Sequence, residues 1–124
     1  MTITVTTKPP PVVETELDTN RPTLYQFRTE GLRVTVTCGS DADGRAVVTL
    51  RATDATMERL DLDERRIGRE ALTCRPGRVI QLRMFPSAEL ERALKREKPD
   101  RFTLEVLLAP PVGATLATTV TIRR

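Results

Sequence analysis

Apolar and polar residues alternate strictly along Gly31–Cys38, in the order Gly-Leu-Arg-Val-Thr-Val-Thr-Cys. A two-residue repeat is typical of a β-strand with one buried face, because successive side chains point to opposite sides. The run therefore predicts a half-buried strand over Leu32–Cys38. Cys38 occupies its last inward position.

The same alternation returns at roughly ten-residue intervals along most of the chain. It predicts strands at residues 2–7, Thr23–Arg28, Leu32–Cys38, Arg45–Thr53, Met57–Leu62, Glu70–Cys74, Val79–Met84, Phe102–Leu108 and Thr115–Arg123. Turn-forming residues separate the runs, most clearly in Arg75-Pro76-Gly77-Arg78. A set of about seven to nine short strands with this spacing indicates an all-β protein, a β-sandwich.

One segment departs from the two-residue repeat. Ser87 precedes Ala88–Glu97, where Leu90 and Leu94 fall on the same face of a helix. Serine is a favoured N-cap, and Pro99 disfavours continuation of the helix. The sequence therefore predicts one short helix, placed before the penultimate strand.

The N-terminal part of the chain has a different character from the rest. Lys8-Pro9-Pro10-Pro11 follows the first alternating run, and consecutive prolines favour an extended conformation while donating no ladder hydrogen bonds. We expect residues 1–22 to form an extended, proline-rich arm and residues 23–124 to form one β-sandwich domain. A chain of 124 residues has the usual size of a single domain.

The charge balance is mild, with 20 basic and 17 acidic residues and a net charge of +3. Because the acidic residues are spread among the basic ones, the sequence argues against a nucleic-acid partner, which would favour basic residues clustered on one face. No apolar run is long enough to span a membrane. Residues 1–7 lack the charged and apolar regions of a signal peptide.

Several patterned segments together resemble a known class of domain. Their order is Val34–Cys38, Gly44–Leu50, Ile67-Gly68, Gly77–Leu82, Ala88–Leu94 and Leu104–Leu108. This order resembles the immunoglobulin-like or fibronectin-III-like repeats of bacterial secreted and cell-surface proteins, over about residues 32–123. The resemblance implies an immunoglobulin-like sandwich that serves as a spacer, an adhesive domain or a docking domain.

The two cysteines, Cys38 and Cys74, both fall on the inward face of their strands. In an immunoglobulin-like sandwich the second and fifth strands are antiparallel neighbours, and Cys74 lies near the turn into the fifth. A disulfide between them is one alternative, worth on the order of 3–4 kcal/mol from the loop it closes. Two buried, reduced thiols packed as small apolar side chains are the other.

Candidate catalytic chemistry is sparse. The chain contains no histidine, which excludes Ser-His-Asp and Cys-His mechanisms. Asp41-Ala42-Asp43-Gly44 has the start of a calcium loop, but Ala52 stands where the loop requires a bidentate glutamate, so we interpret it as a hairpin turn. We predict no catalytic residue, no cofactor and no metal site, and hence a protein that is not an enzyme.

The remaining expectation concerns function. We expect a structural or interaction protein, foremost a phage virion accessory protein of the capsid-decoration type, made in the host cytoplasm, that binds protein partners through its arm and sheet edges. The predicted partner contacts are Pro9, Pro10, Pro11, Val12, Val13, Tyr25 and Phe27. Self-association is one option for the partner; nucleic acid and membrane are not expected. The alternative is an extracellular or cell-surface adhesion or spacer module whose signal peptide has been removed.

Overall fold

A computed structural model describes residues 13–124 of the chain. The strands are β1 (Glu16–Thr19), β2 (Leu32–Thr37), β3 (Gly44–Ala52), β4 (Arg66–Cys74), β5 (Val79–Met84), β6 (Arg101–Ala109) and β7 (Leu116–Arg123). The helices are α1 (Leu24–Thr29), α2 (Asp54–Leu60) and α3 (Ala88–Glu97). Within these residues the strands form two antiparallel sheets, ordered β1-β2-β5 and β4-β3-β6-β7. The prediction of an all-β protein is confirmed in its strand content, with seven strands in two sheets, whereas the described residues form three helices rather than the one predicted.

The alternating pattern places the core between the two sheets. In β2, Leu32, Val34 and Val36 are fully buried, whereas Arg33 between them is exposed. Ala46, Val48, Leu50 and Ala52 of β3 are buried in the same alternating manner, as are Phe102, Leu104, Val106 and Leu108 of β6. The inward side chains of both sheets therefore form one largely aliphatic core.

The helix predicted before the penultimate strand is present as α3. Ser87 is its N-cap and accepts a hydrogen bond from the backbone N–H of Leu90 at 3.2 Å. Leu90, Ala93 and Leu94 form its buried face. This helix lies in the connection that leads the chain from β5 in the three-stranded sheet to β6 in the four-stranded sheet.

The strand predicted over Thr23–Arg28 is wrong, because these residues begin and build α1. Thr23 and Gln26 form a capping box: the Thr23 hydroxyl accepts from the Gln26 N–H, and the Gln26 side chain accepts from the Thr23 N–H. This reciprocal pair satisfies two backbone donors that a helix start otherwise leaves without partners. The local capping geometry therefore outweighs the strand-like composition of the segment.

The strand predicted over Met57–Leu62 is also wrong, because the chain forms α2 there. Thr53 is the N-cap, and Thr56 in the first turn is 2% exposed. The Thr56 hydroxyl donates to the Thr103 carbonyl at 2.6 Å and accepts from the Thr103 N–H at 3.1 Å. Since β3 ends at Ala52, this side chain supplies the hydrogen bonds that the next β3 residue would otherwise make to β6.

The predicted boundary between an arm and a domain at residues 22 and 23 does not hold in the described residues. Glu16–Thr19 pairs antiparallel with β2 and belongs to the sandwich. The chain just before it packs closely over Gly39, where an added Cβ would lie 2.8 Å from the Thr15 nitrogen. The strand predicted at residues 2–7 lies outside the described residues.

One ion pair fastens α1 to α3. The Arg28 guanidinium donates three hydrogen bonds to the Glu91 carboxylate, at 2.6 to 3.1 Å, and both side chains are about a third exposed. Hydrogen bonding to Arg28 lowers the pKa of Glu91, while the same contact raises the pKa of Arg28. The pair therefore favours the charged form of each partner and fixes α1 beside α3.

Candidate binding surfaces

The predicted partner contacts fall into three groups in the structure. Phe27 is fully buried, with its ring centroid 6.5 Å from that of Phe102, so it belongs to the core and the expectation that it contacts a partner is corrected. Tyr25, on the other side of α1, is 76% exposed, and Val13 is 52% exposed. Pro9, Pro10, Pro11 and Val12 lie outside the described residues.

Cys38 and Cys74 are joined as a disulfide in the structure, with their Cα atoms 5.7 Å apart. This distance lies in the usual range for disulfides. Cys38 directly follows β2 in one sheet, and Cys74 ends β4 in the other, so the bond connects the two sheets. Backbone hydrogen bonds from Gly77 to Cys38 and from Cys38 to Arg78 hold the β4–β5 turn at the same place.

Along most of its length the outer edge of β7 is hydrogen-bonded to no other strand within residues 13–124, and β1 of the other sheet faces it without pairing. Because Arg124 donates its N–H to Asp100 on the β6 side, alternation directs the N–H groups of Ala117 and Thr119 away from β6. Near its C-terminal end the edge is covered by the chain before α1, through a parallel bridge between Thr23 and Arg123. The open edge is therefore the segment Leu116–Ile122.

This open edge differs in charge from the other sheet edges. Leu116–Ile122 reads Leu-Ala-Thr-Thr-Val-Thr-Ile and contains neither charged residue nor proline. By contrast, β1 carries two acidic residues, β5 carries Arg83, and β4 carries two arginines at its start and middle together with Glu70. Charged edge residues are a common protection against pairing with another chain. Among the described edge strands, β7 thus lacks this protection over Leu116–Ile122, since its one charged residue, Arg123, lies at the end bridged to Thr23.

A groove runs between the facing edges of β1 and β7. One part of the groove is lined by Thr15–Asp18 together with Leu116 and Ala117. The other part, about 590 Å³ in volume, is lined by Asp18, Thr19, Arg21, Pro22, Thr23, Thr118–Thr121 and Arg123. Leu17 and Leu116 are half-buried in the groove and pack against the core. An incoming strand at β7 could cover these two leucines while pairing with the free backbone.

Searches against protein-family models, curated proteins and solved structures find no match for this chain. No helix within residues 13–124 has the length and apolarity needed to cross a membrane. Over the same residues, no group of three or more potential ligand side chains is arranged to hold a metal ion.

The sequence did not reveal that β7 lies at the edge of the four-stranded sheet, because this depends on strand order. The residue alternation of β7 was visible, but its position at the end of the four-stranded sheet was not. A usable signal was nevertheless present in the sequence: Leu116–Ile122 contains no charged residue, and neither does the strand predicted at residues 2–7, and central strands or unprotected edges share that property.

Proposed function

We propose that this protein is a non-enzymatic interaction protein that assembles with neighbouring copies by strand addition at the Leu116–Ile122 edge. The observation that carries this proposal is the uncharged, unpaired edge of β7 beside a groove with two half-buried leucines. Strand addition uses main-chain hydrogen bonds for affinity and alternate side-chain pockets for specificity. Both elements are available at this edge.

The donor in this proposal is the segment Thr2–Thr7 of a second copy. Its sequence, Thr-Ile-Thr-Val-Thr-Thr, alternates so that Ile3 and Val5 share one face of a strand. Those two apolar side chains match the apolar floor formed by Leu17 and Leu116. The proline run after the segment is expected to act as a semi-rigid spacer, which favours docking on a neighbour over docking on the same sandwich.

We further propose that the sandwich is immunoglobulin-like. With the strands lettered A to G in chain order, the sheets are A-B-E and D-C-F-G. A constant-type immunoglobulin domain has A-B-E-D and C-F-G. The two arrangements differ in the sheet that the fourth strand joins, which supports placing this domain among the variants of that fold.

The setting we propose is a virion, in which the protein is an accessory subunit bound to other subunits. Repeated docking through an edge and a donor segment suits a role in such an assembly. A second setting is favoured by one observation, the Cys38–Cys74 disulfide, since stable disulfides form chiefly in oxidising compartments. That setting is an exported cell-surface adhesion or spacer module.

A charge placed on the β7 edge tests the docking proposal. We expect Thr119→Lys to weaken self-association of the full chain at least about tenfold, equivalent to about 1.4 kcal/mol, because lysine on an edge strand opposes pairing with another strand. Sedimentation velocity over a range of protein concentrations measures the association constant.

The matched control is Thr35→Lys, which adds the same charge to an outward position of β2, a strand paired on both sides. We expect this variant to associate as the unmodified chain does. Equal association of all three proteins would contradict docking at the edge, and so would a full chain that stays monomeric at every concentration.

A further inference from the structure

The outer faces of the two sheets differ sharply in charge. Outward positions of the three-stranded sheet carry two arginines and two acidic residues, namely Arg33, Arg83, Glu16 and Asp18. Outward positions of the four-stranded sheet carry six arginines and one glutamate, namely Arg45, Arg51, Arg66, Arg69, Arg101, Arg123 and Glu105. Its excess of five positive charges is larger than the net charge of +3 of the whole chain.

The basic face contains a cleft where three arginines meet. Arg59 of α2 stands beside Arg101 of β6 and Arg123 of β7, around a cleft of about 310 Å³. Thr103 and Thr121 are also part of the lining, and no acidic side chain is. The cleft therefore offers guanidinium groups and the Thr121 hydroxyl to a bound group and no carboxylate to neutralise them, while the Thr103 hydroxyl is hydrogen-bonded to that of Thr53.

Two positive charges in this cleft repel each other and so lower the stability of the sheet. Arg101 and Arg123 lie directly opposite each other on β6 and β7. The hydrogen bond from Arg124 to Asp100 makes this a non-hydrogen-bonded pair, the kind in which side chains lie closer. Like charges at opposed positions destabilise a sheet. An anion between them would turn this repulsion into attraction.

The arginines of the cleft have no ionic partner among the described residues. Five other arginines do form ion pairs with carboxylates, including Arg51 with Glu105 on the same face. Arg59, Arg101 and Arg123 take part in none of these pairs and in no side-chain hydrogen bond within residues 13–124. Their guanidinium groups are thus available to an external anion.

We propose that the outer face of the four-stranded sheet binds the phosphate backbone of a nucleic-acid duplex, with the Arg59–Arg101–Arg123 cleft as its main phosphate site. Guanidinium groups match phosphate oxygens in a bidentate geometry, and threonine hydroxyls commonly contact the backbone as well. Arg66 and Arg69 extend the positive surface across β4, which suits a chain of phosphates better than a single small anion.

The outward positions of this face carry no aromatic side chain, so single-stranded bases would find no stacking platform there. This feature favours a duplex read through its backbone, without sequence preference. The expectation of no nucleic-acid partner rested on basic and acidic residues being mixed along the chain. Strand pairing separates them in space, because alternation and sheet order bring the arginines of four strands to one side.

Fluorescence anisotropy with a labelled DNA duplex of about 20 base pairs tests the proposal at low salt. We expect binding that weakens as salt increases. The double variant Arg101→Gln/Arg123→Gln should bind at least about tenfold more weakly and show a salt dependence reduced by about two counterions. Thermal unfolding of the variant checks that the fold is kept.

The matched control is Arg33→Gln/Arg83→Gln, which removes a directly opposed arginine pair from the outer face of the other sheet. We expect its affinity to stay within about twofold of the unmodified protein. Equal losses in both double variants would overturn the proposal, since they would show attraction by net charge alone. Absence of binding at low salt, or tighter binding of labelled poly-glutamate than of the duplex, would overturn it too; the latter would assign the face to an acidic protein.

Discussion

Replacing Phe27 with alanine is expected to lower the free energy of unfolding by about 3–5 kcal/mol. Phe27 is fully buried and is, with Phe102, one of two aromatic side chains that meet in the core. Truncation removes the transfer free energy of the ring and leaves a cavity that the surrounding aliphatic side chains fill only in part. Denaturant unfolding followed by circular dichroism measures the loss.

Tyr25→Ala is the matched control for this substitution, since Tyr25 lies two residues earlier on the same helix and is 76% exposed. We expect it to change stability by no more than about 0.5 kcal/mol. The comparison also distinguishes helix from strand: two residues apart, side chains share a face in a strand but not in a helix. Similar losses for both variants would contradict the helix.

Removing the disulfide is the second large effect. The double variant Cys38→Ala/Cys74→Ala is expected to be less stable by about 3–4 kcal/mol, because the bond closes a loop spanning a separation of 36 residues and restricts the unfolded chain. Denaturant unfolding without reductant measures this difference, and mass mapping of unreduced peptides establishes the bond.

Reductant provides an internal control for the disulfide. It should destabilise the unmodified protein by a similar amount and leave the double variant unchanged, since only the former has a bond to reduce. An unmodified protein whose stability does not respond to reductant would show that the two cysteines act as buried thiols. That outcome would also remove the support for the exported setting.

The strands of the core were predictable because one strong physical signal defines them. A strand buried on one face alternates in burial, and β2, β3 and β6 do so over their whole length, with Val47 and Leu107 as apolar residues at outward positions. Helix α3 was predictable for a similar reason, since the N-cap residue Ser87 and the four-residue spacing of Leu90 and Leu94 both indicate a helix. In these segments local preference and tertiary burial point the same way.

The two short helices were missed although their capping signals are present in the sequence. Thr23 and Gln26 have the spacing of a capping box, and Thr53 precedes α2 as an N-cap. Each helix has at most seven residues, or about two turns. In so short a segment the helical spacing of apolar residues cannot be distinguished from the two-residue repeat of a strand. Capping residues therefore deserve more weight than periodicity in short segments.

The binding surfaces were predictable only in part. The sequence shows that Leu116–Ile122 lacks charge. It also shows arginines within the strands that form the four-stranded sheet, such as Arg101 and Arg123. Which strands share a sheet, and which of them lies at the edge, depends on pairing between segments far apart in the chain. The β7 edge and the basic face both follow from that order, so local patterns alone do not reveal them.

Amide hydrogen exchange along β7 tests the docking proposal most directly. We predict that the amides of Ala117 and Thr119, which point to the free edge, exchange freely in dilute protein and become protected as self-association proceeds. The amides of Thr118 and Val120, which face β6, should be protected throughout. Exchange at Ala117 and Thr119 that is the same at every protein concentration would contradict docking at this edge.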